Sequence, residues 1–131
     1  MDNFNYLQAL FDSARKEEFN KRSQSGQMTL GKLINTLECI EHSAVVNLSR
    51  PHSYRGYYSD LAVEVTPGTT VRELLEQCRA AMGDVFEGWK GGEYVMHKNT
   101  PVWVSPMGSS SGDKLMAINP DGSYITEVEE R

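Results

Sequence analysis

The chain has 131 residues, a formal net charge of −5, and 24% charged against 39% hydrophobic side chains. That length makes a single domain with a modest core, and the acidic balance speaks against a protein that coats nucleic acid polymers, which needs a basic face. The N-terminus has no apolar leader core and no run approaches the length of a membrane span, so the expectation is a soluble cytosolic protein without a membrane partner.

Residues 1–28 read as an N-terminal helical extension and linker. Phe4, Leu7, Leu10, Phe11 and Ala14 recur at helical spacing, Asp2 or Asn3 is placed to cap them, and Arg15–Glu18 is a solvated patch. Ser23–Gln27 is polar and linker-like. An apolar stripe at a chain end packs on its own domain or on a second subunit, and both readings are open. Residues 29–128 then form one α+β ligand-binding domain.

Thr29 is a suitable N-cap for a helix whose apolar stripe is Leu30, Leu33, Ile34, Leu37 and Ile40. Gly31 costs stability in a first turn, which implies that something packs closely against it. His42-Ser43 ends the helix, and Ala44–Leu48 is expected as a short strand. Leu61–Val65 alternates apolar and polar as a half-buried strand, and Thr66–Thr69 is a turn. Thr70-Val-Arg-Glu73 matches a capping box ahead of a helix with Val71, Leu74, Leu75, Cys78, Ala81 and Met82 on one face. Gly83 is placed to stop it. Strands are expected at Glu93–Met96, Pro101–Ser105, Lys114–Ile118 and Ser123–Val128, with a strong turn at Asn119-Pro-Asp-Gly122. Two helices and five or six strands, mostly joined as hairpins, predict helices on one face of a largely antiparallel sheet. The two cysteines, Cys39 and Cys78, read as small core residues of a reducing compartment.

The densest chemistry lies in His52-Ser-Tyr-Arg-Gly-Tyr-Tyr-Ser-Asp60. Arg55 offers a planar five-donor fork for phosphate or carboxylate. Tyr54, Tyr57 and Tyr58 supply flat faces, His52 and Arg50 add basic character, and Gly56 allows close backbone approach to a bound group. A second group follows in Phe86-Glu-Gly-Trp-Lys-Gly-Gly92. One reading makes the glycines a tight turn with a bulge while Phe86 and Trp89 fill core. The other pairs this loop with the Arg55 cluster: an aromatic face stacks on a base, and Arg55 with Lys90 or Lys114 neutralises phosphates. Asn99 is a donor–acceptor reader of a base edge or ribose, or simply a turn former. Catalytic and metal motifs are missing from the sequence. No histidine is followed two residues on by Ser or Thr, no Gly-x-Ser-x-Gly elbow occurs, and Gly108–Lys114 only echoes a phosphate loop.

On these residues the chain resembles a known family. His52–Leu61, Thr70-Val-Arg-Glu-Leu-Leu75, Phe86–Tyr94 and Asn99-Thr-Pro-Val-Trp-Val104 look like small bacteriophage proteins. Among these, the sequence resembles the phage anti-Thoeris proteins of the first type, sponges for the cyclic ADP-ribose isomer made by bacterial TIR-domain defence enzymes. The likeness runs from about Leu30 to Ile118. It implies an α+β fold, binding without cleavage or cofactor, assembly into dimers and hexamers, and action in the cytoplasm of the infected bacterial host. It also implies that some members hold cyclic oligonucleotides at separate sites. The family's arginine falls on Arg55, its stacking aromatic on Phe86 and its polar reader on Asn99. Its late basic residue falls on Lys114, a departure from arginine that removes bidentate phosphate contact there. The alternative class is an interaction protein that blocks a host protein directly, with the aromatic cluster as its hot spot. Nucleotide hydrolysis is a third reading, for which no base, nucleophile or metal set is visible.

Overall fold

The computed structural model describes residues 26–106 and 110–129. The expected N-terminal helix lies outside them, as does the middle of the Met107–Gly112 loop.

Helix α1 spans Leu30–Glu38. Thr29 Oγ1 accepts from Lys32 N at 3.2 Å and caps it, as its residue type predicts. Gly31 has the close neighbour its cost implied: Gly31 N donates to Lys98 O at 3.0 Å, and a Cβ there would sit 2.9 Å from Lys98 Cβ. Helix α2 spans Val71–Ala81, with Thr70 Oγ1 accepting from Glu73 N. Gly83, at φ +80°, ends it and donates to Met96 O. The two helices pack side by side on one face of the sheet and bury Leu30, Leu33, Leu37, Leu74, Leu75 and Cys78 there.

Five strands form the main sheet: β1 (Leu48–Ser53), β2 (Leu61–Val65), β5 (Val102–Val104), β6 (Asp113–Ile118) and β7 (Tyr124–Glu127), in the order β1-β2-β5-β6-β7. All neighbours run antiparallel except β2 and β5. That parallel pair is joined through α2 and a separate hairpin of β3 (Val85–Glu87) and β4 (Glu93–Val95). The architecture is thus the expected α+β layer. At the β6–β7 turn Ser123 donates to Asp121 through Oγ and N, which holds the Asp121 carboxyl below the usual carboxylate range.

Two expectations need correction. The strand expected at Ala44–Leu48 begins only at Leu48. Val46 N and Asn47 N both bond to Thr69 O, so the residues before Leu48 pair with the Thr66–Thr70 turn. Asn47, at φ +60°, then swings the chain into β1. Cys39 is exposed, not core: it caps the C-terminus of α1, where the apolar stripe has rotated away. Cys78 is buried, and desolvation pushes its thiol up to about 12.

Chain entry to the domain is tighter than the linker-like composition implied. Gln27 and Met28 are buried, with Gln27 Nε2 donating to Val102 O at 2.9 Å and Met28 in the main core.

Candidate ligand-binding surface

The sheet has two buried faces of different size. Leu61, Val63, Val102, Val104 and Leu115 point into the main core beneath the helices. Strand alternation sends Ala62 and Trp103 the other way, where with Tyr54 they form a second, smaller cluster. Register carries a row straight across this second face: His52, Ala62, Trp103, Lys114 and Glu127 lie on neighbouring strands in turn.

Residues 54–60 fold over that row. Tyr54 N donates to Asp60 O and Asp60 N to Tyr57 O, closing the loop between β1 and β2. The Tyr54 ring stacks on Trp103, centroids 4.7 Å apart and planes 17° from parallel. Its hydroxyl donates to Ser110 O at 2.9 Å and accepts from Gly112 N at 2.8 Å, so the side chain is only 1% exposed. Two glycines make room for the ring. A Cβ at Gly56 would come within 2.7 Å of Tyr54 Cε2, and one at Gly112 within 3.0 Å of Tyr54 Cε1. Gly56 therefore admits a neighbouring tyrosine, where the sequence pointed to a bound group. Beneath the loop, Trp103 Nε1 donates to the fully buried carboxylate of Asp60 at 2.8 Å. Tyr57 rests against both rings, keeps 38% of its surface exposed, and donates through its hydroxyl to Glu129 at 2.6 Å.

The other aromatic group meets the same loop from outside. Phe86 and Tyr94 face each other across the β3–β4 hairpin and pack on the main core. Tyr94 also meets Tyr58, ring centroids 6.2 Å apart. At the hairpin tip Trp89 donates through Nε1 to Ser53 O at 3.2 Å and leaves 54% of its surface exposed. The Arg55 guanidinium lies over this indole, 5.2 Å from the ring centroid. The sequence pairing of the arginine loop with the glycine–tryptophan loop is thus realised as a cation–π contact, worth about 0.5–1 kcal/mol at an exposed position. Lys90 follows on the exposed tip.

The nine candidate residues separate into groups. Arg55, Trp89 and Lys90 share the hairpin tip. His52, Tyr54, Tyr57 and Lys114 belong to the second face of the sheet, where His52 Nδ1 lies 2.8 Å from Arg50 O. Phe86 is partly buried against the core, which leaves Trp89, half-exposed with Arg55 over its ring, as the more accessible aromatic of this hairpin. Asn99 sits in the turn before β5: its N donates to His97 Nδ1, and its neighbour Lys98 receives the α1 amide of Gly31. Among the described residues no hydrogen bond joins Asn99 to the Arg55–Trp89 pair.

Trp103 and Asp60 were missed by sequence reasoning. The signal was present, since Trp103 alternates with Val102 and Val104 and so had to face away from the helices. On the hairpin's outward side Glu87 stands directly opposite Glu93, and the half-exposed Val85 opposite Val95. Among the described residues no three His, Cys, Asp or Glu side chains group closely enough for a metal ion, and no helix is long and apolar enough to cross a membrane.

Fold and surface together define a small α+β domain with an aromatic shelf carrying one stacked arginine. Comparison with protein-family models, curated proteins and solved structures finds no match to this chain.

Proposed function

We propose that this chain is a non-catalytic sponge that binds and sequesters a small cyclic nucleotide signal of bacterial defence. The ligand class is a cyclic ADP-ribose isomer or a cyclic oligonucleotide, and the effect is to protect an infecting phage in its host's cytoplasm. One observation carries the reading: Arg55 lies over the ring of the half-exposed Trp89, so a phosphate-binding fork and an aromatic plane lie together at one spot. Lys90 adds a second cation beside it, and Tyr57 a further exposed ring.

Magnitudes decide how such a site would work. A stacked base contributes roughly 1–3 kcal/mol, and a charge-assisted phosphate contact about as much again. Nanomolar capture requires about −12 kcal/mol. One open shelf falls well short, so a second wall is needed, and a symmetric copy of the chain supplies it most simply. The sponge is therefore proposed to act as a dimer or hexamer.

The test is direct. Purified protein is incubated with cyclic ADP-ribose isomers and cyclic di- and trinucleotides, washed free of ligand, then heat-denatured. Intact nucleotide in the released fraction supports sequestration, and Arg55→Ala should lose it with the fold unchanged. An altered nucleotide makes the protein an enzyme and sinks the reading. A second reading draws on the exposed Val85–Val95 pair on the same hairpin as Trp89, which suits a protein hot spot. An empty nucleotide screen together with a stoichiometric host protein lost on Trp89→Ala would favour it.

A further inference from the structure

The β3–β4 ribbon is a sheet of only two strands, so each strand keeps one edge to itself. Register decides which backbone groups face outward. Gly88 N donates to Gly92 O and Met96 N to Asp84 O, each at 3.0 Å. Antiparallel alternation then makes Phe86 and Tyr94 a hydrogen-bonded pair between them. In the intervening pairs, Val85–Val95 and Glu87–Glu93, the N–H and C=O groups turn away from the partner strand. On β3 the outward Val85 N is met by Asp84 Oδ1 at 2.9 Å. On β4 the amides and carbonyls of Glu93 and Val95 have no partner among the described residues. Neither a proline nor a bulge protects that edge.

Side chains along the edge select what can join it. Val85, Glu87, Glu93 and Val95 share the ribbon's outward face, and all four are exposed. In a non-hydrogen-bonded pair the side chains stand closest, with Cα atoms about 4.5 Å apart. Neither Glu87 nor Glu93 has an ion-pair or hydrogen-bond partner among the described residues. Two carboxylates held side by side without a counter-charge favour a cation beside them. They also disfavour a second copy of this chain, because antiparallel pairing about a two-fold axis would set two such acidic pairs on one face. The net charge of −5 adds to both effects.

The geometry points to an extended, basic segment of a partner protein that joins β4 as a third antiparallel strand of this ribbon. Its backbone takes up the free groups of Glu93 and Val95, a mode in which main-chain bonds give affinity and alternate side chains give specificity. Strand direction sets the pattern: an apolar residue opposite Val95, then, two residues on, a Lys or Arg opposite Glu93. The assignment does not depend on the nucleotide reading, whose Arg55, Trp89 and Lys90 lie at the hairpin tip.

Labelled peptides test it on the full chain. The probe has threonine at every second position, with valine and lysine alternating between, and binding is read by fluorescence polarisation. It should bind saturably, and a counterpart with glutamate for lysine should bind at least about tenfold more weakly. Methyl groups on the valine and lysine amides, which face β4, should abolish binding, while methyl groups on the threonine amides should leave it. The double variant Glu87→Lys with Glu93→Lys should reverse the preference and take the glutamate peptide. If that variant fails to fold, Glu93→Gln keeps the side chain's shape and should weaken the lysine peptide about twofold or more. Absence of saturable binding overturns the proposal. So do equal affinities for the lysine and glutamate peptides, equal effects of the two methylation patterns, or an affinity that neither charge variant alters.

Discussion

Tyr54 shows how one side chain is assigned by its neighbours. Its sequence context, next to Arg55 and two further tyrosines, marks it as ligand-facing, yet Gly56, Gly112 and Trp103 enclose it. Its role is to hold the second-face cluster together. The buried Asp60 carboxylate depends on that cluster for its Trp103 donor. Trp103→Phe keeps the stack and removes the N–H, so it should cost about 1–3 kcal/mol in urea unfolding. A change within a few tenths of a kcal/mol would show that the bond contributes nothing. The cysteines divide in the same way. Cys39 should react with a thiol reagent in the native protein, and Cys78 only after unfolding. The thiol of Cys78 is raised in the fold from 9.0 to about 12. Its stabilising contribution is therefore complete below pH 9 and lost as pH rises toward 12, at up to ~1.4 kcal/mol per pH unit. Cys78→Ala should flatten that alkaline decline while lowering stability at neutral pH.

Among the elements, the β3–β4 hairpin is the least self-sufficient. Its strands are three residues each, and a two-stranded ribbon of that size does not stand alone in water. Phe86 and Tyr94 fix it to the core, Tyr94 also to Tyr58, and the Trp89 indole to Ser53. Glu87 opposite Glu93 works against the ribbon, because like charges directly across antiparallel strands repel. Tyr94→Ala should cost about 2 kcal/mol or more and shift Trp89 emission to the red. If Trp89 presents the ligand's stacking face, nucleotide retention should fall as well, without any change to Arg55. Retention unaffected by a loosened hairpin would move the site to the second face of the sheet.

At the scale of the whole molecule, the two ends of the main sheet are treated differently. β1 carries Pro51, a register shift between Ser49 and His52, and Arg50 at φ +58°, all of which block further strand pairing. β7 has no such device among its described residues and exposes Ile125. It is the edge at which the described residues leave apolar surface in contact with solvent. The net charge of −5 also matters here. An acidic protein repels a phosphate ligand at long range, so on the proposed reading attraction comes from Arg55 and Lys90 at close quarters, while Lys114 stands opposite Glu127. Salt up to physiological strength should therefore change retention less than threefold, whereas a protein that steers polyanions would lose affinity by orders of magnitude.

Local patterns already present in the sequence determined the helices, their caps at Thr29 and Thr70, the strand Leu61–Val65 and the α+β class. Hydrophobic period and capping chemistry act within a few residues and need no partner. The close approach at Gly31 was legible for the same reason, as a helix cost with no local gain. Partners distant in sequence decided the rest. Ala44–Asn47 bonds the Thr69 carbonyl instead of entering the sheet, and Cys39 falls off the end of a buried stripe. Two glycines and a tryptophan from three separate segments turn Tyr54 inward. The juxtaposition of Arg55 and Trp89 was suggested by composition, but only the docking of a hairpin 30 or more residues downstream onto the β1–β2 loop brings them to 5.2 Å. A side chain's type is local information. Which of its faces stays open is settled by whatever else packs there.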